Sequence, residues 1–269
     1  MDNVTVILPV HRLDEKEKDY FANAVKSITT QKIEKKPKLL VVVTNEELKK
    51  EVESFDYDEK IKENVKVLIN DGETDFCSQI NFGVKNIETE WFSILEVDDE
   101  YSMIWFSKVE EYMKHYNDVE VFLPLVLDVS PDGKFLHFTN EPVWAPEFSE
   151  KMGFLDNDSL LNYPNFQTSG AVYNKETFLS VGGFKKGIKL HFVYEFLLRM
   201  TYYDKTIMTI PKLGYKKINM REGSLFYGYY NEGGEKIRVD EAKWWFNQAK
   251  KECYFKQDRG ITYEEEVTT

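Results

Sequence analysis

Apolar positions in the first hundred residues follow two alternating rhythms. Short β-branched runs at Val4–Val10, Leu39–Val43, Val65–Ile69 and Trp91–Leu95 have the length and composition of buried strands. Between them the spacing becomes helical: Phe21, Ala24, Val25 and Ile28, then Cys77, Ile80, Val84 and Ile87. Glu46 to Ser54 adds a charged helix. Parallel neighbours need long crossovers, which helices supply, so this alternation predicts a mostly parallel sheet with helices on both faces. In such sheets ligands gather beyond the carboxyl ends of the strands. Three polar segments fall there: Pro9-Val-His-Arg12, Thr44-Asn-Glu46 and Glu96-Val-Asp-Asp99.

The second half is less regular. Phe106, Val109, Met113 and Tyr116 predict a helix, and Val119 to Leu127 a long strand interrupted by Pro124. Pro131-Asp-Gly133 is a turn signal. Thr139 to Asn165, rich in aromatics, Pro and Asn, reads as a long loop region of the kind that often forms binding loops or lids. Ser169 to Tyr173 reads as a strand, and Leu190 to Tyr203 and Lys236 to Phe255 as helices, the last with Ala242, Trp245, Ala249 and Cys253 on one stripe. The expected organisation is one α/β domain over residues 1–230, with a nucleotide-binding half (1–100) and an acceptor-side half (101–230). A C-terminal helical extension follows over 231–269.

Charge narrows the function. With 35 Lys and Arg against 47 Asp and Glu, the net charge is 35 − 47 = −12. That balance argues against nucleic-acid backbone binding and suits divalent cations better. Cys77 and Cys253 have no zinc-like spacing and make no disulfide framework, which points to a reducing compartment. No signal-type leader is visible, and no apolar run approaches the ~18 residues of a membrane span. The expectation is a soluble, cytoplasmic protein that a lipid-linked acceptor would bring to a membrane surface.

The strongest candidate chemistry is the acidic run Glu96-Val97-Asp98-Asp99-Glu100 directly after a buried strand. Adjacent carboxylates repel unless a cation or hydrogen bonds offset them, and a hard divalent ion takes carboxylate oxygens while leaving positions for phosphate. The bland alternative is an acidic turn at a helix N-terminus. A second constellation, His191, Glu195 and Arg199, lies along one helix face, where Glu195 and Arg199 could simply form an i,i+4 ion pair. A third is the basic stretch Lys212 to Ser224, with Tyr215, Lys216, Lys217, Arg221 and Ser224, which is suited to phosphate oxygens or else a solvated loop. Trp144, Phe148, Tyr227, Tyr229 and Tyr230 could stack on sugar rings or pack locally.

In order and spacing these segments resemble the inverting glycosyltransferase family two. The opening strand Val4–Val10, Ser27-Ile-Thr-Thr-Gln31, Asn81-Phe-Gly83, Phe92 to Asp99, Gln167-Thr-Ser-Gly170 and Val181-Gly-Gly-Phe184 carry the resemblance, which spans Val4 to Ser224. It implies a GT-A (Rossmann-like) fold and transfer of a sugar from a nucleotide-diphosphate donor, UDP-linked by preference, to a carbohydrate, lipid-linked or protein hydroxyl with inversion. It further implies donor contacts from Pro9, Val10, His11, Arg12, Asn45, Asp71, Asn81, Glu96, Val97, Asp98, Ser169, Gly170 and Arg221. Mn²⁺ or Mg²⁺ would be held by Asp98 with Glu96, Asp99 or His191. The departures are informative. Glu96 replaces the first acid of the family's Asp-x-Asp, Thr44 and Asn45 stand where an Asp usually binds the base, and apolar Phe192 and Val193 fall where the acidic pair is expected. Glu195 is then the carboxylate left to act as base. The rival readings are a non-catalytic sugar- or partner-binding module of the same fold, an acidic interaction protein, and a nucleotidyltransferase, although Pro9 to Leu13 lacks the glycines of a phosphate loop.

Overall fold

A computed structural model describes residues 1–141, 153–156, 159–160, 166–186, 188, 190–219 and, beyond these, 221, 222, 224, 227, 240, 243–245, 247 and 248. The elements in chain order are β1 (Val4–Val10), α1 (Glu15–Thr29), β2 (Lys38–Val43), α2 (Glu46–Glu53), β3 (Val65–Ile69), α3 (Phe76–Lys85), β4 (Trp91–Ile94), β5 (Glu100–Tyr101), α4 (Trp105–His115), β6 (Val121–Val129) and β7 (Phe135–Thr139). They continue with β8 (Phe154–Leu155), β9 (Val172–Asn174), α5 (Lys175–Ser180), α6 (Phe192–Tyr202) and β10 (Ile207–Ile218). The stacking residues Trp144, Phe148, Tyr229 and Tyr230, and most of the final helix expected at 236–255, lie outside the described residues.

The ten described strands join one sheet of order β3-β2-β1-β4-β9-β6-β10-β5, with β7 added to β6 and β8 to β10. β3, β2, β1 and β4 run parallel, as their helix-linked spacing predicts. β9 then enters antiparallel to both β4 and β6. Alternate residues of β1 feed opposite cores. Val4, Val6, Leu8 and Val10 pack with α1, α2 and α4, whereas Ile7 packs with α3, α5 and α6. That double burial is why the strand has no polar face. Gln31, from the Ser-Ile-x-x-Gln segment, binds α1 to α4: its amide donates to Ser102 O at 2.8 Å and accepts from Phe106 N at 3.2 Å.

Three elements differ from expectation. The strand expected from Ser169 begins only at Val172, because Ser169-Gly170 forms a turn with Gly170 at φ +72°. Pro124 does not interrupt β6, which runs unbroken over Val121–Val129. It has no N–H to give, and there the pairing changes from β9, at Val121–Phe122, to β7, at Val126–Val129. The largest difference is β10, whose C-terminal half was expected as a basic loop. Pro211 and Gly214 obscure the strand pattern, and the ladder to β6 accommodates them with register shifts between Ile210 and Leu213 and between Leu213 and Tyr215. Gly214 leaves room for the buried Trp105: a Cβ there would stand 2.4 Å from Trp105 Cε3 and 2.6 Å from Pro124 Cβ. Gly214→Ala is therefore expected to destabilise the fold by about 1–3 kcal/mol through overpacking. In urea denaturation this would appear as a lower midpoint at unchanged slope.

Candidate functional site

The carboxyl ends of β1 and β4 lie side by side. The two strands are in register through Ile7 and Ile94, and Leu95 N donates to Ile7 O at 3.0 Å. The acidic run leaves the sheet here. Glu96 is braced by its own backbone N–H, which donates to the hydroxyl of buried Tyr215 at 3.1 Å. The Asp98 carboxylate accepts from Arg221 Nε. Arg221 also reaches Glu17 (Nη1 to Oε1, 3.5 Å) and lies 5.5 Å over the Tyr20 ring, while Glu17 accepts from Arg12 Nε at 2.6 Å. An alternating chain, Arg12–Glu17–Arg221–Asp98, thus joins the end of β1, the first turn of α1, the end of β4 and the segment after β10.

The electrostatics explain this ring of cations. Burial raises the Glu96 carboxyl above its ordinary value, and Asp98 raises it further, while Lys217, Arg221 and a hydrogen bond from Ser169 pull it down. Burial also holds His11 below the ordinary histidine value against the pull of Asp75 and Glu17.

Several expected site residues have other work. Asp99, expected at the ion, is buried and turned toward β10, where Oδ1 accepts from Ile218 N at 2.9 Å. Burial, with Glu96 and Asp98 nearby, holds it well above the carboxylate range. Among the described residues no group of three His, Cys, Asp or Glu side chains is arranged around a metal position, so no three-ligand set of His191 with the acids is formed. Asn81, expected at the donor, uses its whole amide on the glycine turn, donating to Phe184 O at 2.8 Å and accepting from Phe184 N at 2.9 Å. Asn45 caps α2 through Leu48 N at 2.9 Å. The side chains of Pro9 and Val10 are buried, leaving only backbone for a ligand, and Asp71 is exposed in the loop after β3. Gly170 is packed on Tyr215, and its carbonyl accepts from Trp105 Nε1 at 2.8 Å.

Glu195, expected as the base, is fully buried. Its oxygens accept from Arg199 Nε at 2.8 Å and Nη2 at 2.9 Å, and Lys185 Nζ stands 3.3 Å away. Arg199 in turn donates to Val181 O and to Gly183 O at 2.7 Å. A base must reach the attacking hydroxyl; this carboxylate instead holds the arginine that holds the Gly182-Gly183 turn.

The basic stretch resolves into separate roles. Lys216 pairs with Glu100 at 2.8 Å, and Lys217 donates to Gln167 Oε1 at 3.0 Å. Sequence reasoning missed Glu17, Asp128 and His137. Glu17 carried a signal, the Asp14-x-x-Glu17 capping box at the start of α1. The other two lie in the β6–β7 hairpin, where nothing local marks them.

Acids leave β4 with cations around them, on a sheet that matches the GT-A fold. The chain belongs to the family described as "Glycosyl transferase family 2", which matches residues 5–179, more than half of its length. No curated protein matches the chain. Among solved structures it is similar to Staphylococcus aureus TarS, at 17% identity and a TM-score of 0.58, covering 91% of this chain and 43% of that one. TarS 1-349 in complex with UDP matches at 16% identity and TM-score 0.60, covering 98% and 77% of the two chains. TarS 1-349 in complex with UDP-GlcNAc matches at 16% and 0.61, covering 91% and 72%. The chain thus spans less than half the length of the first of these structures, and at such identities the likeness is one of fold. No described helix is long and apolar enough to cross a membrane.

Proposed function

We propose that this chain transfers a sugar from a UDP-sugar to an acceptor hydroxyl with inversion, aided by a divalent cation, Mn²⁺ or Mg²⁺, on Glu96 and Asp98. The observation that carries the reading is the acid pair at the end of β4, beside the end of β1 and faced by Lys217 and Arg221. The residues fit such an ion. Burial and the neighbouring Asp98 both disfavour the charged form of Glu96, a cost that a cation would offset, and ions of this kind are commonly held by one or two carboxylates plus substrate phosphates. When bound, the ion would supply Lewis-acid neutralisation of the departing diphosphate.

The chain's own residues do the rest. Arg221, held between Asp98 and Glu17, and Arg12, paired with Glu17, offer guanidinium donors to diphosphate oxygens. Tyr215 holds the backbone of Glu96, and Ser169 its side chain, so the acid is positioned before the donor arrives. His11 and Asp71, exposed just after β1 and β3, are assigned to the nucleoside. The neighbours solved with UDP and UDP-GlcNAc make UDP-GlcNAc the first donor to try. UDP-GlcNAc with Mn²⁺ is expected to raise the melting temperature more than either alone, by an amount equivalent to about 2.7 kcal/mol at a hundredfold excess over Kd. A flat thermal-shift response to UDP-, GDP- and dTDP-sugars, with and without metal, would reject the reading.

A further inference from the structure

One buried carboxylate outside the β4 acids has an unsatisfied oxygen among the described residues. Asp128 of β6 is fully buried. Its Oδ2 accepts from Thr139 Oγ1 at 3.2 Å, and its Oδ1 has no partner. Asp128 stands opposite Lys217 of β10 on one side and opposite His137 of β7 on the other. Directly opposed residues on paired strands share a face of the sheet, so Lys217, Asp128 and His137 form a row across three strands. Tyr215, two residues before Lys217, shares that face, and its hydroxyl meets the backbone of Glu96. Lys217 acts electrostatically on Glu96, Asp99 and Asp128 alike. The row therefore runs from Tyr215, beside the β4 acids, to the β6–β7 hairpin.

At its far end the His137 side chain is 53% exposed, with Nε2 3.8 Å from Asp128 Oδ2. A buried carboxylate behind an accessible imidazole is the arrangement in which the acid orients the ring and the ring meets the substrate. Spacing of this kind commonly tightens once substrate binds. Phe192 and Val193 carry no acid, and Glu195 is bound to Arg199.

We propose that His137 is the general base of the transfer and that Asp128 is its positioning residue; the assignment rests on the glycosyltransferase reading above. Nδ1 of His137 takes the proton of the acceptor hydroxyl. The freed oxygen lone pair forms the new bond to the anomeric carbon, and the bond from that carbon to the diphosphate breaks, its electron pair leaving with the phosphate. The resulting imidazolium is stabilised through Nε2–H by Asp128.

The test uses the full chain with UDP-GlcNAc and Mn²⁺, following UDP release with water as acceptor and donor binding by calorimetry. His137→Gln, at an exposed position, is expected to bind UDP-GlcNAc with native Kd but to release UDP about 100-fold more slowly. Asp128→Asn is expected to lower kcat about tenfold at unchanged KM with the melting temperature unchanged or raised, a split that a purely structural role would not give. UDP release by His137→Gln within threefold of native overturns the assignment. So does a native chain that binds donor without releasing UDP, because a base at the acceptor face activates water too. A native chain that binds no nucleotide-sugar overturns the glycosyltransferase reading itself.

Discussion

Asp98→Asn is expected to reduce donor turnover about 10³-fold while moving the melting temperature little. The turnover loss follows from charge. Asp98 supplies the second carboxylate at the end of β4 to a divalent ion, beside a Glu96 whose burial disfavours its charged form. Lewis-acid stabilisation of a departing diphosphate amounts to several kcal/mol, each 1.36 kcal/mol being tenfold in rate. The small stability change follows from the ion-pair chain: Arg221 keeps Glu17 and the Tyr20 ring when Asp98 loses its charge, and Glu96 loses a repulsive neighbour. Titration of UDP-GlcNAc binding against Mn²⁺ should show weaker metal dependence in the variant. Turnover within tenfold of native would remove Asp98 from the metal-binding role.

Arg199→Met should unfold the protein far more readily, with a loss of about 3–5 kcal/mol, because it leaves Glu195 charged in the interior without its main partner. Lys185, at 3.3 Å and partly exposed, offers incomplete compensation and places the loss toward the lower end. The carbonyls of Val181 and Gly183 lose their donor at the same time, loosening the turn that Asn81 holds from the other side. The double variant Glu195→Leu with Arg199→Met should recover most of the loss, since apolar replacement of a whole buried pair is often neutral. Urea denaturation of the two variants beside the native chain decides this. Equal destabilisation by both would assign the effect to the turn carbonyls rather than to the stranded carboxylate.

Much of the scaffold was legible from periodicity. β1, β2 and β4 are buried on both faces, so each presents a mostly apolar run, while β3, at the end of the sheet, is half-buried with Lys66 exposed; α1, α3, α4 and α6 each carry an apolar stripe. The acidic run was legible for a related reason, four carboxylates following a buried strand. β7 and the end of β10 were not. Phe135, Leu136 and Phe138 are exposed, and Pro211 and Gly214 break the strand pattern at bulges. Within the site, Asp98, Glu96 and Arg221 were named from the sequence. Their linkage through Glu17 was not, because an acid in the first turn of a helix looks like an ordinary cap.

The sequence by itself determined the local elements, the acids at the end of β4 and the family, because each depends on residues close together along the chain. Tertiary structure alone decided that Glu195 belongs to Arg199, that Asn81 belongs to the glycine turn, and that Asp128 lies between Lys217 and His137. A side chain's burial pattern is written in its own segment. Its partner is set by which distant strand or turn packs beside it, and a buried charge or amide takes whatever donor that packing brings within reach.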